Sequence, residues 1–358
     1  MLVFINLKAY LLRLLTNKKS LDFELTDIKS VLFLRYDRIG DMIISTPVFR
    51  EFKRAFPDVK LTVLASSINK DVLQNNPYID EIIINNKNNF FGDLVSLFKL
   101  RSRNLDGCIE LDHSVVPHAI IRLRIINPKK IISVKKDGRY GVSGDELMMY
   151  NFYTKKSSNM HFRDIWLSTL NPFGIEPSNN SYDLFPSSKQ EKVAKTFLKN
   201  FETKFKIGIN LEGAVKGKKI EDIDLERICK GLKKAHKNIQ IIIITNPTKL
   251  GKVIQLVKNM GLNYVIPSYK TNKILDVAGL IKNLDMIITP DTSISHIASA
   301  FNKPIVSIHE NNQNSYQLFA PTSSLCKTVF ATEKNSLVGY DVQKVIDYTN
   351  IILMESSA

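Results

Sequence analysis

From Val31 onward, short apolar runs alternate with stretches of helical spacing. "VLFLR" is followed by a helix through "PVFREFKRAFP", the strand "KLTVLAS" and another helix after "INKDVLQNNP"; the strands "EIIIN", "GCIELD" and "KIISV" come next. These runs are apolar at nearly every position, which predicts strands buried on both faces, the pattern of a parallel sheet covered by helices. A glycine-bearing polar stretch, residues 135–166, reads as a loop-rich edge and leads into a helix through Trp166 to "LNPFG".

Turn-forming residues cluster in "EPSNNSYDLFPSSKQ", Glu176 to Gln190, which makes this stretch the linker candidate. The alternation then starts again. "KIGINL", a lysine-rich loop, a helix near "DLERICKGLKKAH", "IQIIIIT", a helix from "KLGKVIQLVKN", "YVIPS", "KILDVAGLIKN", "DMIITP", "ISHIASAFN" and "PIVSIH" follow in order. The last segment, "VQKVIDYTNIILM", has helical spacing.

The expected fold is therefore α/β, with two Rossmann-like, doubly wound domains facing a central cleft and ligands at the carboxyl ends of the strands. The boundaries this predicts are an N-terminal extension over 1–30, a first domain over 31–185 and a second over 186–358 that closes with the C-terminal helix. A chain of 358 residues is long enough for two cores, and 44% hydrophobic with 24% charged residues is ordinary for a folded protein.

The net charge is the unusual quantity: +15, from 50 Lys and Arg against 35 Asp and Glu. It points to polyanionic partners such as nucleic acid, anionic lipid or phosphorylated glycans, unless it reflects a lysine-rich composition alone. Nucleic acid is not expected as a partner, because no basic stripe interleaved with aromatics and no binding motif is present. Cys108, Cys229 and Cys326 are scattered without metal-ligand spacing and read as reduced thiols of a cytosolic protein.

No run reaches the roughly 20 apolar residues of a transmembrane helix, and the N-terminus lacks the features of a signal peptide. "MLVFINLKAYLLRLLTNKK" nevertheless mixes leucines with Lys8, Arg13, Lys18 and Lys19. It fits an interfacial amphipathic helix or a helix that caps the first domain.

Two stretches carry candidate chemistry. In "LRYDRIGDMIISTPVF" a strand and a glycine deliver Asp41 to the crevice end of the sheet, between Arg35, Arg38 and the start of a helix. Two helix starts are open: at Asp41 with a kink at Pro47, or with Thr46 as N-cap and Pro47 in first position. Asp41 would be either a ligand-facing carboxylate or only a cap. The loop is not a dinucleotide fingerprint or a Walker sequence. In "IITPDTSISHIASAFNKPIVSIH" a strand brings Asp291, Thr292 and Ser293 to a helix N-terminus, a ready site for phosphate, with His296 in the first turn; on the other reading Asp291 and Thr292 are only caps and His296 is a core residue.

Taken together the two stretches resemble the signature segments of glycosyltransferase family 9, the lipopolysaccharide heptosyltransferases. Arg35, Ile39, Gly40, Asp41, Thr46 and Pro47 match an "R-x-x-x-I-G-D … T-x-P" segment. Asp291, Thr292, Ser295, His296, Ala298, Ala300, Lys303 and Pro304 match "D-T-G-x-S-H-x-A-A-A-x-x-K-P", and "HFRDIWLSTLNPFGI" is similar to the family's histidine-led helix before the linker.

The resemblance implies a GT-B fold and an inverting, metal-independent sugar transfer with no cofactor. It implies Asp41 as general base, with Arg35, Arg38 and Gly40 toward an anionic acceptor; the two arginines would favour the ionised carboxylate. Lys218, Lys216, Asp291, Thr292, Ser293, Ile294 and His296 would hold the nucleotide-sugar, with Lys219 a further candidate for its phosphates.

The partners so implied are a nucleotide-sugar donor, ADP-heptose by family default, and an anionic glycolipid of lipopolysaccharide core type. The location would be cytoplasmic, peripheral on the inner face of the bacterial inner membrane. Two departures leave the donor open, so another nucleotide-sugar in O-antigen or capsule assembly is the alternative. Ser293 replaces the family's glycine, and Lys249 in "TNPTKL" stands where members carry a ribose-binding glutamate.

Overall fold

The computed structural model describes residues 2–17, 28–85, 90–154, 160–213 and 217–357. The chain divides into two compact units, Met1–Asn180 and Ser181–Ala358. The division falls within the predicted linker.

The first unit runs α1 (Leu2–Thr16), β1 (Ser30–Leu34), α2 (Ile39–Ala55), β2 (Lys60–Ser66), β3 (Glu81–Asn85), α3 (Phe90–Arg101), β4 (Gly107–Glu110), α4 (Pro117–Ile126), β5 (Lys130–Val134), β6 (Phe152–Thr154) and α5 (Phe162–Leu167). Its six parallel strands lie in the order β3-β2-β1-β4-β5-β6. The central strands are buried along nearly their whole length, as the unbroken apolar runs predict.

The second unit runs α6 (Ser188–Leu198), β7 (Phe205–Asn210), α7 (Asp222–Ala235), β8 (Ile239–Ile244), α8 (Leu250–Met260), β9 (Val265–Pro267), α9 (Ile274–Lys282), β10 (Met286–Pro290), α10 (Ser293–Ala300), β11 (Ile305–His309), α11 (Gln313–Phe319), β12 (Cys326–Phe330) and α12 (Val342–Ser357). Its six strands are again parallel, in the order β12-β11-β10-β7-β8-β9. The order reverses beside β1 in one unit and beside β7 in the other, the switch points at which doubly wound sheets bind ligands.

Several elements differ from the sequence expectation. No helix separates "INKDVLQNNP" from β3; a single 3-10 turn, Lys70–Leu73, sits inside that stretch. It is held by Asn69, whose side chain accepts the Ser66 N–H at 2.8 Å. β6 lies within the segment expected to be an irregular edge, and β12 and α6 appear where no element was predicted. α6 starts inside the linker candidate on a capping box of Ser187 and Gln190.

The extension expected over 1–30 is only partly separate. α1 packs on the first unit, with Ala9 and Leu12 in its core, whereas residues 18–27 lie outside the described residues. Among the described residues, no helix is long and apolar enough to cross a membrane. α12 finds its packing partner in α7, where a Cβ on Gly231 would stand 2.5 Å from the Ile346 Cδ1.

Neither predicted start of α2 is the one observed. The helix begins at Ile39 after Arg38 in extended conformation, so Asp41 falls in its first turn and Pro47 in its interior. A proline there has no N–H to give the carbonyl four residues back. The neighbouring Thr46 hydroxyl donates to that Ile43 carbonyl at 2.7 Å, fully buried. Thr46→Val keeps the shape and removes the donor, and is expected to cost about 1–2 kcal/mol in urea unfolding. A loss under about 0.5 kcal/mol would mean that the hydroxyl does not stand in for the missing N–H.

Candidate active site

At the carboxyl end of β1 the backbone turns through Arg35, Tyr36, Asp37 and Arg38 into α2. Buried Asn69 pins this turn, donating through its side-chain amide to the carbonyls of Arg35 at 3.1 Å and Asp37 at 3.3 Å. Asp41 accepts the Arg38 backbone N–H, so it does cap the helix start, and it stays partly open to solvent.

Arg35 is the hub of the site. Its side chain is 2% exposed, and its guanidinium meets Asp37 at 3.1 Å, Asp41 at 3.6 Å and Asp112 at 3.8 Å. Its Nε donates to the Asp41 carbonyl at 3.4 Å, and its flat face lies 3.9 Å from the Trp166 ring centroid. These contacts engage Arg35, expected to face the acceptor, with the protein's own carboxylates. The cation is turned inward to hold carboxylates, and Arg38 is the exposed arginine of the pair.

The charge balance at Asp41 also runs against expectation. The nearby arginines were expected to favour its ionised form, but burial outweighs them. Desolvation pushes the Asp41 carboxyl above its ordinary value; Arg35 pulls it back, and the Asp37 charge opposes Arg35. Asp112 is also raised, first by burial and then by the Glu110 charge, and its carboxyl hydrogen-bonds Asp37. Glu110 is buried against the Lys136 ammonium and accepts from the Ser133 hydroxyl at 2.9 Å. The result is a carboxylate at a strand end with raised proton affinity and a fixed position.

Asp37, Asn69, Asp112 and Trp166 were missed in the sequence. They come from four separate segments, and the only signal was that Asp112 and Asp37 each follow a strand.

In the second unit, buried Asn210 at the end of β7 donates to the hydroxyls of Thr289 at 3.0 Å and Thr292 at 3.4 Å, and to the Glu212 carbonyl at 2.8 Å. Thr292 is the N-cap of α10, and its hydroxyl accepts the Ile294 N–H at 3.0 Å. The Ile294 amide expected for a ligand is therefore engaged by the cap. Ser293, the first helical residue, carries an N–H that the helix itself does not satisfy.

His296 is buried, edge-on to Tyr182 with centroids 6.2 Å apart. The ring, expected to meet the donor, is packed inside the second unit. Asp291 is partly exposed, and its backbone N–H donates to the Ile308 carbonyl at 3.0 Å.

The lysine loop doubles back after β7, bridging Glu212 to Lys219. Gly213 is forced by close approach: a Cβ there would stand 2.2 Å from the Lys218 carbonyl oxygen. The fold-back leaves Lys218 mostly buried with its ammonium 3.1 Å from Glu310. Lys219 pairs outward with Glu221 at 2.6 Å, and Lys216 lies outside the described residues.

His309 completes the group. Burial pushes its imidazole below the usual value, the Asp291 charge opposes that and the Lys218 charge adds to it. The ring is thus neutral at pH 7, and Lys218 is the cation of this strand end. Lys249 is not isolated either; its ammonium is 2.5 Å from Glu212.

The family described as "Glycosyltransferase family 9 (heptosyltransferase)" matches residues 233–337, the part of the chain that contains β8 through β12. That segment, less than half of the chain, is similar to glycosyltransferase family 9. Similarity to relatives extends well beyond that segment. A lipopolysaccharide core heptosyltransferase of Haemophilus influenzae, OpsX, is 23% identical over 86% of this chain and 86% of its own length. Lipopolysaccharide heptosyltransferase 1 of Campylobacter coli is 22% identical over 78% of this chain and 83% of its own.

The chain also shares its fold with solved structures. A glycosyl transferase family 9 structure from Veillonella parvula superposes with a TM-score of 0.77 at 18% identity, covering 94% of this chain and all of that one. The E. coli heptosyltransferase WaaC with ADP superposes at 0.70 with 15% identity, covering 92% and all, respectively. The family match and the relatives support a glycosyltransferase, and the two doubly wound parallel sheets are the fold of those structures.

Proposed function

We propose that the protein transfers heptose from ADP-heptose, with inversion at the anomeric carbon, to a lipopolysaccharide core or related lipid-linked anionic glycan. The observation that carries this is Asp41, a partly open carboxylate of raised proton affinity fixed at the β1 switch point of a chain similar to family 9. Further support comes from the relatives in Haemophilus influenzae and Campylobacter coli named for lipopolysaccharide heptosyl transfer, and from the ADP in the WaaC structure.

An acceptor hydroxyl becomes a competent nucleophile when a base within hydrogen-bond reach takes its proton as the new bond forms. In this reading the proton goes to an Asp41 carboxylate oxygen and the acceptor oxygen attacks the anomeric carbon from the face opposite the nucleotide. The bond from that carbon to the diphosphate breaks, and the diphosphate leaves with the bonding pair. The leaving charge falls to Lys218 and to the Ser293 N–H that opens α10, an arrangement that stabilises charge where it develops. Glu310 holds Lys218 at that strand end. Arg38, exposed at the N-cap of α2, is the residue placed to meet an acidic acceptor.

Purified protein with ADP-heptose and lipopolysaccharide acceptors of graded truncation is expected to add one heptose mass to one acceptor and release ADP. Lys218→Ala is expected to lower kcat by about 10²–10³-fold, the usual cost of one charge-stabilising donor. UDP- or GDP-sugars turning over in place of ADP-heptose would overturn the donor. Full activity in the Lys218 variant would overturn the leaving-group assignment.

A further inference from the structure

We infer that the outer face of α1, α4 and α3 is a docking surface for an anionic lipid bilayer. This adds a location to the chemistry above and does not depend on the sugar or nucleotide proposed there.

The three helices lie on one face of the first sheet. Leu12 of α1, Leu123 of α4 and Leu97 of α3 join Leu32 and Cys108 of the strands in a single core, and α4 contacts both other helices. Their outer sides therefore form one surface. On that side α1 exposes Leu7 (55%), Tyr10 (62%), Leu11 (47%) and Leu14 (57%). These are positions i, i+3, i+4 and i+7, an apolar stripe where a helix covered on one side normally carries polar residues.

The stripe continues on the neighbouring helices in exposed Ile121 of α4 and in Val95 and Phe98 of α3. Two of these side chains, Tyr10 and Phe98, are aromatic, the kind that settles at headgroup depth.

Charge selects the occupant. Lys8, Arg13, Lys99, Arg101 and Arg124 are exposed on the three helices. Arg13 is bound by Glu146. The only described acidic residue on these helices, Asp93, is turned in against Arg122 at 2.9 Å. A second copy seated on this face about a two-fold axis would set the same basic groups against each other. An anionic bilayer offers both the apolar depth and the opposite charge.

The test is co-sedimentation of the full chain with vesicles of phosphatidylcholine alone or with about one-third phosphatidylglycerol. Wild type is expected to partition to the anionic vesicles at least about tenfold more strongly, with the excess lost at high salt. Leu11→Asp with Leu14→Asp is expected to lower that partition by more than about tenfold while leaving thermal unfolding unchanged, because both side chains already face water.

Ile223→Asp, at an exposed site on α7 of the second unit, adds a similar charge and is expected to leave partition as it was. Failure of wild type to bind anionic vesicles, or equal binding by the double variant, overturns the proposal. So does a dimer that the double variant splits without any vesicle binding; the face would then be an interface between copies.

Discussion

Asp41→Asn is expected to lower sugar transfer by about 10²–10⁴-fold, the range for loss of a positioned general base, while donor binding stays within error. Asparagine is the discriminating replacement because its side-chain oxygen can still accept the Arg38 N–H and keep α2 started. It cannot take a proton from an acceptor hydroxyl. An asparagine variant as fast as wild type would reduce Asp41 to a cap.

The pH profile supplies an independent reading. Burial raises the Asp41 carboxyl above 3.8, so the acid limb of kcat/KM is expected above the ordinary aspartate value. Activity falls as pH drops through the raised value and the base becomes protonated. A limb at or below 3.8 would show that Arg35 outweighs burial after all. The stability sign is the opposite of the activity sign. A carboxyl raised in the folded state makes ionisation costly there, so the neutral asparagine is not expected to destabilise the protein at pH 7. A large rate loss without a stability loss would mark a group held for chemistry.

Arg35→Leu is expected to be the most damaging substitution to the fold at this site, costing about 3–5 kcal/mol at pH 7. The guanidinium sits among Asp37, Asp41 and Asp112 and stacks on Trp166. Without it the carboxylates remain close together and lose the cation they share, leaving Lys136 to act on Asp112 and Arg38 on Asp41, and burial already raises both carboxyls.

Removing the cation raises them further, so the folded variant takes up protons as pH falls while the unfolded chain still does not. The deficit is therefore expected to shrink between pH 7 and pH 5, measured as the difference between wild-type and variant urea midpoints. A loss independent of pH would show that Arg35 acts through packing alone.

Much of the architecture was legible because its signal is local. A strand of a covered parallel sheet is apolar on both sides, so β1, β2, β7, β8, β10 and β11 stand out as unbroken runs. Turn residues marked the segment between the units to within a few positions. β6, with three residues, and β12, whose five residues are mostly half-buried, were missed because these two edge strands carry too little apolar sequence to be seen. Local spacing leaves two starts open for α2 because Pro47 suits either a first position or a kink; the Thr46 hydroxyl makes it tolerable inside the helix, whose observed start at Ile39 is close to the one at Asp41.

The sequence by itself determined two doubly wound sheets, the place of Asp41 after β1 and the start of a helix beside Thr292, each of which depends on neighbours a few residues away. Only the tertiary structure decided the inward turn of Arg35, the raised proton affinity of Asp41, the burial of His296 and the pairing of Lys218 with Glu310. These depend on groups brought from distant strands and on water removed by packing, and neither distance nor desolvation is written in local spacing.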